Sequence, residues 1–142
     1  MNNPSEEHEA RVARIRHDLR APLNAMIGYS EMILQEAQAL PDQTASGLLV
    51  KMGLNSTALL EFVDRYAEEC INQSDEKSDT GQKLQLTQNK IMDLNKGVIS
   101  MVEVLKGIGL SEESMQDLGT IARACINLEE MTSQRPNTLE QK

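Results

Sequence analysis

Residues 12–33 read VARIRHDLRAPLNAMIGYSEMI, and their apolar members Val12, Ile15, Leu19, Leu23, Met26, Ile27 and Ile33 recur every three or four places. That spacing is the period of an amphipathic α-helix. Just upstream, Asn3-Pro4-Ser5-Glu6 carries the start signals: Asn as cap, Pro in the first turn, and Glu three residues after the cap. Pro22 interrupts the run and predicts a bend, because it removes a backbone donor and crowds the preceding turn. Leu40-Pro41-Asp42 ends the helix, and Asp42 or Thr44 can cap the next one.

The same reading extends outward to three more helices. Leu48, Leu49, Met52, Ser56, Leu59, Leu60, Val63, Ala67 and Cys70 mark a second, and the polar run NQSDEKSDTG (72–81) reads as a connection. Ile91, Leu94, Val98, Met101, Leu105 and Ile108 mark a third, stopped by Gly107 and Gly109. Ser111 starts a fourth that carries Leu118, Ile121, Ala122, Cys125 and Leu128, and Arg135-Pro136 closes the pattern. Composition agrees. Aromatic residues make up 2% of the 142-residue chain, and Leu, Ile, Met and Ala, which suit packed helices, fill its apolar positions. One helical hairpin cannot bury its stripes alone. The expected fold is therefore all-α, an antiparallel four-helix bundle of two hairpins: 1–72 the first, 73–81 a linker, 82–142 the second packing on it. Homodimerisation through the first hairpin is the rival arrangement.

The two hairpins can be overlaid as an internal repeat. His17-Asp18-Leu19 falls opposite Met92-Asp93-Leu94, with Leu23/Val98 and Ile27/Val102 in step. Met52 then falls opposite Ile121, after a connection six residues shorter in the second half. Four unrelated helices would produce much the same bundle.

A net charge of −8 argues against nucleic acid and against an anionic membrane surface as partners. No apolar run reaches the length of a spanning helix. The N-terminal residues lack the basic and apolar stretches of a signal peptide, so a cytoplasmic location is expected. Cys70 and Cys125 read as small core residues of a reducing compartment. No metal site is expected: three residues before His8 and His17 stand Ser5 and Arg14, not the Glu of a di-iron motif.

On a helical wheel His17 points away from the apolar stripe, among Ala10, Ala13, Arg14, Arg20, Ala21, Asn24 and Gly28. Small and polar neighbours leave room for another protein to approach the imidazole. Asp18 follows directly, and a carboxylate can select the tautomer that frees the other ring nitrogen as nucleophile. Arg11, Arg14, Arg16 and Arg20 gather nearby in an otherwise acidic chain, suited to a phosphoryl group or an acidic partner. They also read simply as solvated residues balancing the Glu-rich start.

The run His17-Asp18-Leu19-Arg20-Ala21-Pro22-Leu23-Asn24, continued by Ile27-Gly28-Tyr29-Ser30-Glu31, resembles the phosphoacceptor box of the dimerisation and histidine-phosphotransfer domain of two-component histidine kinases. The close resemblance covers about fifteen residues, and the hairpin resemblance extends weakly to about residue 70. It implies that His17 is the phosphoacceptor, that Asp18 assists proton removal, and that Pro22 bends the helix below the site. It also implies docking of a response-regulator receiver domain on this part of the hairpin, around Arg14, Arg20, Ala21 and Asn24. The receiver would carry the exchanging aspartate and supply its own Mg; no cofactor is expected on this chain.

Two departures qualify the resemblance. Ala21 stands where the family usually carries Thr or Asn to orient a hydrolytic water, so little or no phosphatase activity is expected. Nothing after residue 70 resembles the family's ATP-binding domain, and the eight glycines are scattered. The chain alone should not use ATP. It either relays phosphate between proteins or belongs to a longer polypeptide whose kinase or effector parts lie beyond Lys142. A phosphotransfer module, monomeric as a fused pseudo-dimer, is the leading expectation. A non-catalytic module that binds a receiver with an idle histidine is the alternative. A stand-alone phosphotransfer protein of the other common type fits less well, since its histidine is typically followed by Lys-Gly where Arg20-Ala21 stand here.

Overall fold

A computed structural model describes residues 4–72 and 79–133 of the chain. Four helices follow in order: α1 (Pro4–Gln38), α2 (Thr44–Asn72), α3 (Asp79–Lys106) and α4 (Glu112–Ser133). Among the described residues there is no strand. Each helix packs on its sequence neighbours, and α1 closes the ring against α4. The result is the four-helix bundle of two hairpins expected from periodicity.

The helix boundaries follow local chemistry. Asp42 Oδ1 accepts the Thr44 N–H at 3.0 Å and the Thr44 hydroxyl at 2.7 Å, capping α2 as its sequence suggests. Those two bonds hold the Asp42 carboxyl below its usual range, the hydroxyl contributing most. At the end of α3, Gly107 and Ile108 donate back to Val104 and Leu105 at 3.1 Å each, and Gly109 adopts φ 90°. That left-handed conformation suits glycine and turns the chain towards α4. Ser111 Oγ accepts the Ser114 N–H at 3.2 Å, as a helix cap does.

One boundary differs from the sequence reading. The third helix already includes residues 79–81, which composition assigns to the linker, because polar residues extend a helix without any apolar signal. The first helix runs on through Pro22 to Gln38, one helix as the sequence reading has it. The Asp18 carbonyl, four residues earlier, loses its usual helical donor there. The proposed cap Asn3 and the closing Arg135-Pro136 lie outside the described residues, as do linker residues 73–78.

The apolar stripes meet in one core. Leu19, Leu23, Met26 and Ile33 of α1 join Met52, Leu59, Val63 and Tyr66 of α2, Ile91, Val98 and Leu105 of α3, and Leu118, Ile121 and Leu128 of α4. Cys70 and Cys125 are both buried thiols outside any disulfide, as small core residues. Burial pushes the Tyr66 phenol far above its normal range and the Cys125 thiol up to about 12, so neither is a nucleophile at neutral pH.

The burial pattern also shows which overlay of the two hairpins fits best. A shift of 69 places carries Ala45, Leu49, Met52, Ser56, Leu59 and Val63 onto Ser114, Leu118, Ile121, Cys125, Leu128 and Thr132, all buried. This is the Met52/Ile121 alignment read from the sequence. For α1 and α3 the best shift is 72: Val12, Leu19, Leu23, Met26, Ser30 and Ile33 fall on Leu84, Ile91, Asn95, Val98, Val102 and Leu105, again all buried. The 75-place overlay instead sets buried Leu19 and Met26 against half-buried Leu94 and Met101. Three residues are close to one helical turn, so a slip of that size preserves the apolar face and sequence matching alone cannot detect it. In that overlay Asn89 rather than Met92 falls opposite His17, and the second connection is three residues shorter (72 against 69) rather than six.

Candidate functional site

The long helix α1 carries His17 near its middle, on the face turned from the core, and the imidazole is exposed as the wheel requires. Asp18, Arg14, Arg20, Ala21 and Asn24 are exposed beside it, and Pro22 is half-buried. The candidate residues therefore share one accessible strip of α1. Among the described residues, no hydrogen bond joins Asp18 to His17. Adjacent helical residues diverge by about 100°, and Asp18 instead lines a groove between α1 and α4.

The arginine cluster divides into two pairs. Arg20 meets Asp64 of α2 in a bidentate contact, Nε to Oδ1 at 2.9 Å and Nη2 to Oδ2 at 2.5 Å. The hydrogen bond, reinforced by the Asp64 charge, raises the guanidinium pKa, so Arg20 stays charged throughout. Arg16 reaches the same carboxylate, Nε 3.4 Å from Oδ1, in ion-pair range but off hydrogen-bond alignment; its Nη2 donates to Glu68 at 3.1 Å. Two of the four arginines thus serve as a clamp between α1 and α2. Arg11 and Arg14 are exposed and make no ion pair among the described residues.

Asp64 and Glu68 escaped the sequence reading. A signal was present: an acid pair four residues apart on α2 matches Arg16 and Arg20, also four apart, and both pairs fall on single helix faces. What the spacing lacks is the axial offset between the two helices.

The groove between α1 and α4 holds about 560 Å³ and is open to solvent. Asp18, Ala21, Pro22 and Ala25 form one wall, Arg123, Ala124 and Asn127 the other. Arg123 donates to Thr120 Oγ1 at 3.1 Å and stands as an exposed cation across from Asp18. No sequence motif marks it; only the closure of α4 against α1 brings residue 123 to this strip. The small side chains of Ala21 and Ala25 keep the groove wide.

Chemically, the strip offers an accessible imidazole, one adjacent carboxylate and free guanidinium groups. Among the described residues, no group of three His, Cys, Asp or Glu residues is placed to hold a metal ion. Among them, too, no helix is long and apolar enough to cross a membrane. No model of a protein family, no curated protein and no solved structure matches the chain.

Proposed function

We propose that this protein is a histidine phosphotransfer module of a two-component phosphorelay, carrying a phosphoryl group on His17. The observation that carries the reading is His17 itself, exposed on the outer strip of α1 within a sequence that resembles the phosphoacceptor box. In the transfer, a neutral ring nitrogen attacks the phosphorus of a receiver's aspartyl phosphate. The P–O bond to the receiver carboxylate breaks and an N–P bond forms. The proton on the other ring nitrogen passes to solvent or to a nearby base, the role the resemblance gives to Asp18. Catalysis of this kind depends on positioning and charge neutralisation. Arg14 and Arg11 are the cations placed to contribute without breaking the α1–α2 clamp.

The receiver would dock along α1 with Arg14, Arg20, Ala21 and Asn24 beneath it and would supply its own Mg. Because four helices close within one chain, a monomeric pseudo-dimer in the cytoplasm belongs to the same reading. The phosphate would come from such a receiver or, through ATP, from a separate or fused kinase, and an effector would be a further partner. Ala21 offers no hydrogen-bonding group for a hydrolytic water, so receiver phosphatase activity should be low, and Ala21→Thr should raise it.

The decisive experiment presents the chain with a panel of receiver domains phosphorylated on aspartate. Acid-labile, alkali-stable phosphate should appear on the chain and vanish in His17→Ala. The second reading, a receiver-binding scaffold with an idle histidine, draws on the commitment of Arg16 and Arg20 to α2 acids. Receiver binding that persists without any transfer would favour it.

A further inference from the structure

Between α3 and α4 lies a smaller recess of about 250 Å³. It sits where the repeat superposes on the arginine clamp. The shifts of 72 and 69 places bring Gln88 onto Arg16, Met92 onto Arg20, and Ser133 onto Asp64. The guanidinium groups that close the seam of the first hairpin have no counterpart here.

The hydrogen bonds around the recess are unevenly spent. Asn95 is 3% exposed; its Nδ2 donates to the Cys125 carbonyl at 2.9 Å, and its Oδ1 is buried with no partner. The neighbouring amides and hydroxyls each have a partner. Gln88 Nε2 bonds the Thr132 carbonyl at 3.0 Å, Gln85 Nε2 bonds Asn89 Oδ1 at 3.1 Å, and the hydroxyls of Thr132 and Ser133 bond the carbonyls of Leu128 and Glu130 at 2.8 and 3.2 Å. Two lining residues keep acceptor capacity: Asn95, whose Oδ1 is buried in the wall without a partner, and Glu129, whose exposed carboxylate makes no ion pair among the described residues. The Lys96 ammonium and the Asn89 amide are the donors left to oppose them, and Ile91 and Met92 add apolar wall.

We propose that this recess binds a small alkylguanidinium ion. Its planar N–H fork would donate to Asn95 Oδ1, its charge would lie against Glu129, and its short alkyl group would rest on Met92. An unpaired buried acceptor carries a desolvation penalty that a ligand donor relieves. Guanidinium is the cation best suited to relieve it, since it is weakly hydrated and donates in fixed directions. In effect the ligand restores, from solution, the group that Arg16 supplies to the first hairpin. The site is too small for a nucleotide or a folded peptide, and Lys96 limits its affinity. It does not depend on phosphorylation of His17.

The test titrates the full-length, isotopically labelled chain with ethylguanidinium at millimolar concentrations, far below denaturing levels, and follows amide shifts by NMR. Saturable shifts should centre on the side-chain amides of Asn95 and Gln88 and on Thr132. Asn95→Leu, which installs the residue that Leu23 provides in the first hairpin, should bind about tenfold more weakly. Glu129→Gln, an exposed change that leaves the core intact, should weaken binding several-fold, and Lys96→Ala should strengthen it. Tetramethylammonium, equally charged but without donors, should leave the recess unshifted. Shifts that never saturate, equal binding of tetramethylammonium, or unchanged affinity in both Asn95→Leu and Glu129→Gln would overturn the proposal.

Discussion

The two hairpins bury their side chains in the same register and close their seams with different chemistry. In the first, Arg16 and Arg20 reach across to Asp64 and Glu68, and an imidazole stands exposed on the outer strip. In the second, α3 and α4 meet less extensively, and amides surround an open recess with one acceptor unpaired. Apolar stripes hold the bundle together, so seam residues are free to diverge so long as the stripes keep their phase. The helix starts diverge as well. Asp42 caps α2 from within its own loop, whereas the Ser111 cap of α4 is itself held from another hairpin by Glu36, at the far end of α1. Glu36 accepts the Ser111 N–H at 2.8 Å and the hydroxyls of Ser111 and Ser114 at 2.5 and 2.7 Å.

The comparison can be broken most completely at the candidate phosphoacceptor. His17→Ala should remove all acid-labile phosphate, and adding Asn89→His in that background should restore none, because Lys90 rather than an acid follows position 89. Recovery of label, followed by phosphorus NMR or phosphate-affinity gels, would show the seams to be chemically equivalent after all. Next in size, Leu59→Ala and Leu128→Ala occupy matching, fully buried positions. Each should cost about 2–5 kcal/mol in urea unfolding, through a single transition, since both leave cavities in one shared core. Two transitions, with only one moved by each variant, would make the hairpins independent units.

The clamp itself is worth less. Asp64 is about a third exposed, so Asp64→Ala should cost only about 0.5–1 kcal/mol after solvent screening, while Ser133→Ala at the matching position should be near neutral. Urea midpoints of the two variants sharpen the contrast between a charged and an uncharged seam.

The smallest effect lies in the crossed cap. Hydrogen bonds from Ser111 and Ser114 hold the Glu36 carboxyl below its usual range. A lowered folded pKa contributes stability that is fully present above the unfolded value, about 4.3, and is lost as pH falls through the folded value. The stability gap between the wild type and Glu36→Gln should therefore be widest near neutral pH and narrow below about pH 4. Thermal melts across that range check it; a gap independent of pH would mean that the carboxylate charge adds nothing to the cap.

Much of the fold is legible in the spacing of apolar residues and their punctuation. Periodicity places all four helices, Asp42 and Ser111 announce their caps, and Gly109 its turn. The outward aspect of His17 follows from the wheel alone. The candidate site is only half legible: Arg16 and Arg20 look free until Asp64 and Glu68 are set beside them, and Arg123 has no motif to betray it.

The chain's own order of residues determined which face of each helix turns inward, since that phase depends on side chains a few places apart on one helix. Tertiary packing decided how far each helix slides along its neighbours. That axial offset favoured 72 over 75 as the register in which the hairpins overlay, paired two arginines with distant acids, and brought Glu36 to Ser111. A slip of one helical turn leaves an apolar stripe nearly unchanged, so only the interlocking of all four helices at once distinguishes one offset from the next.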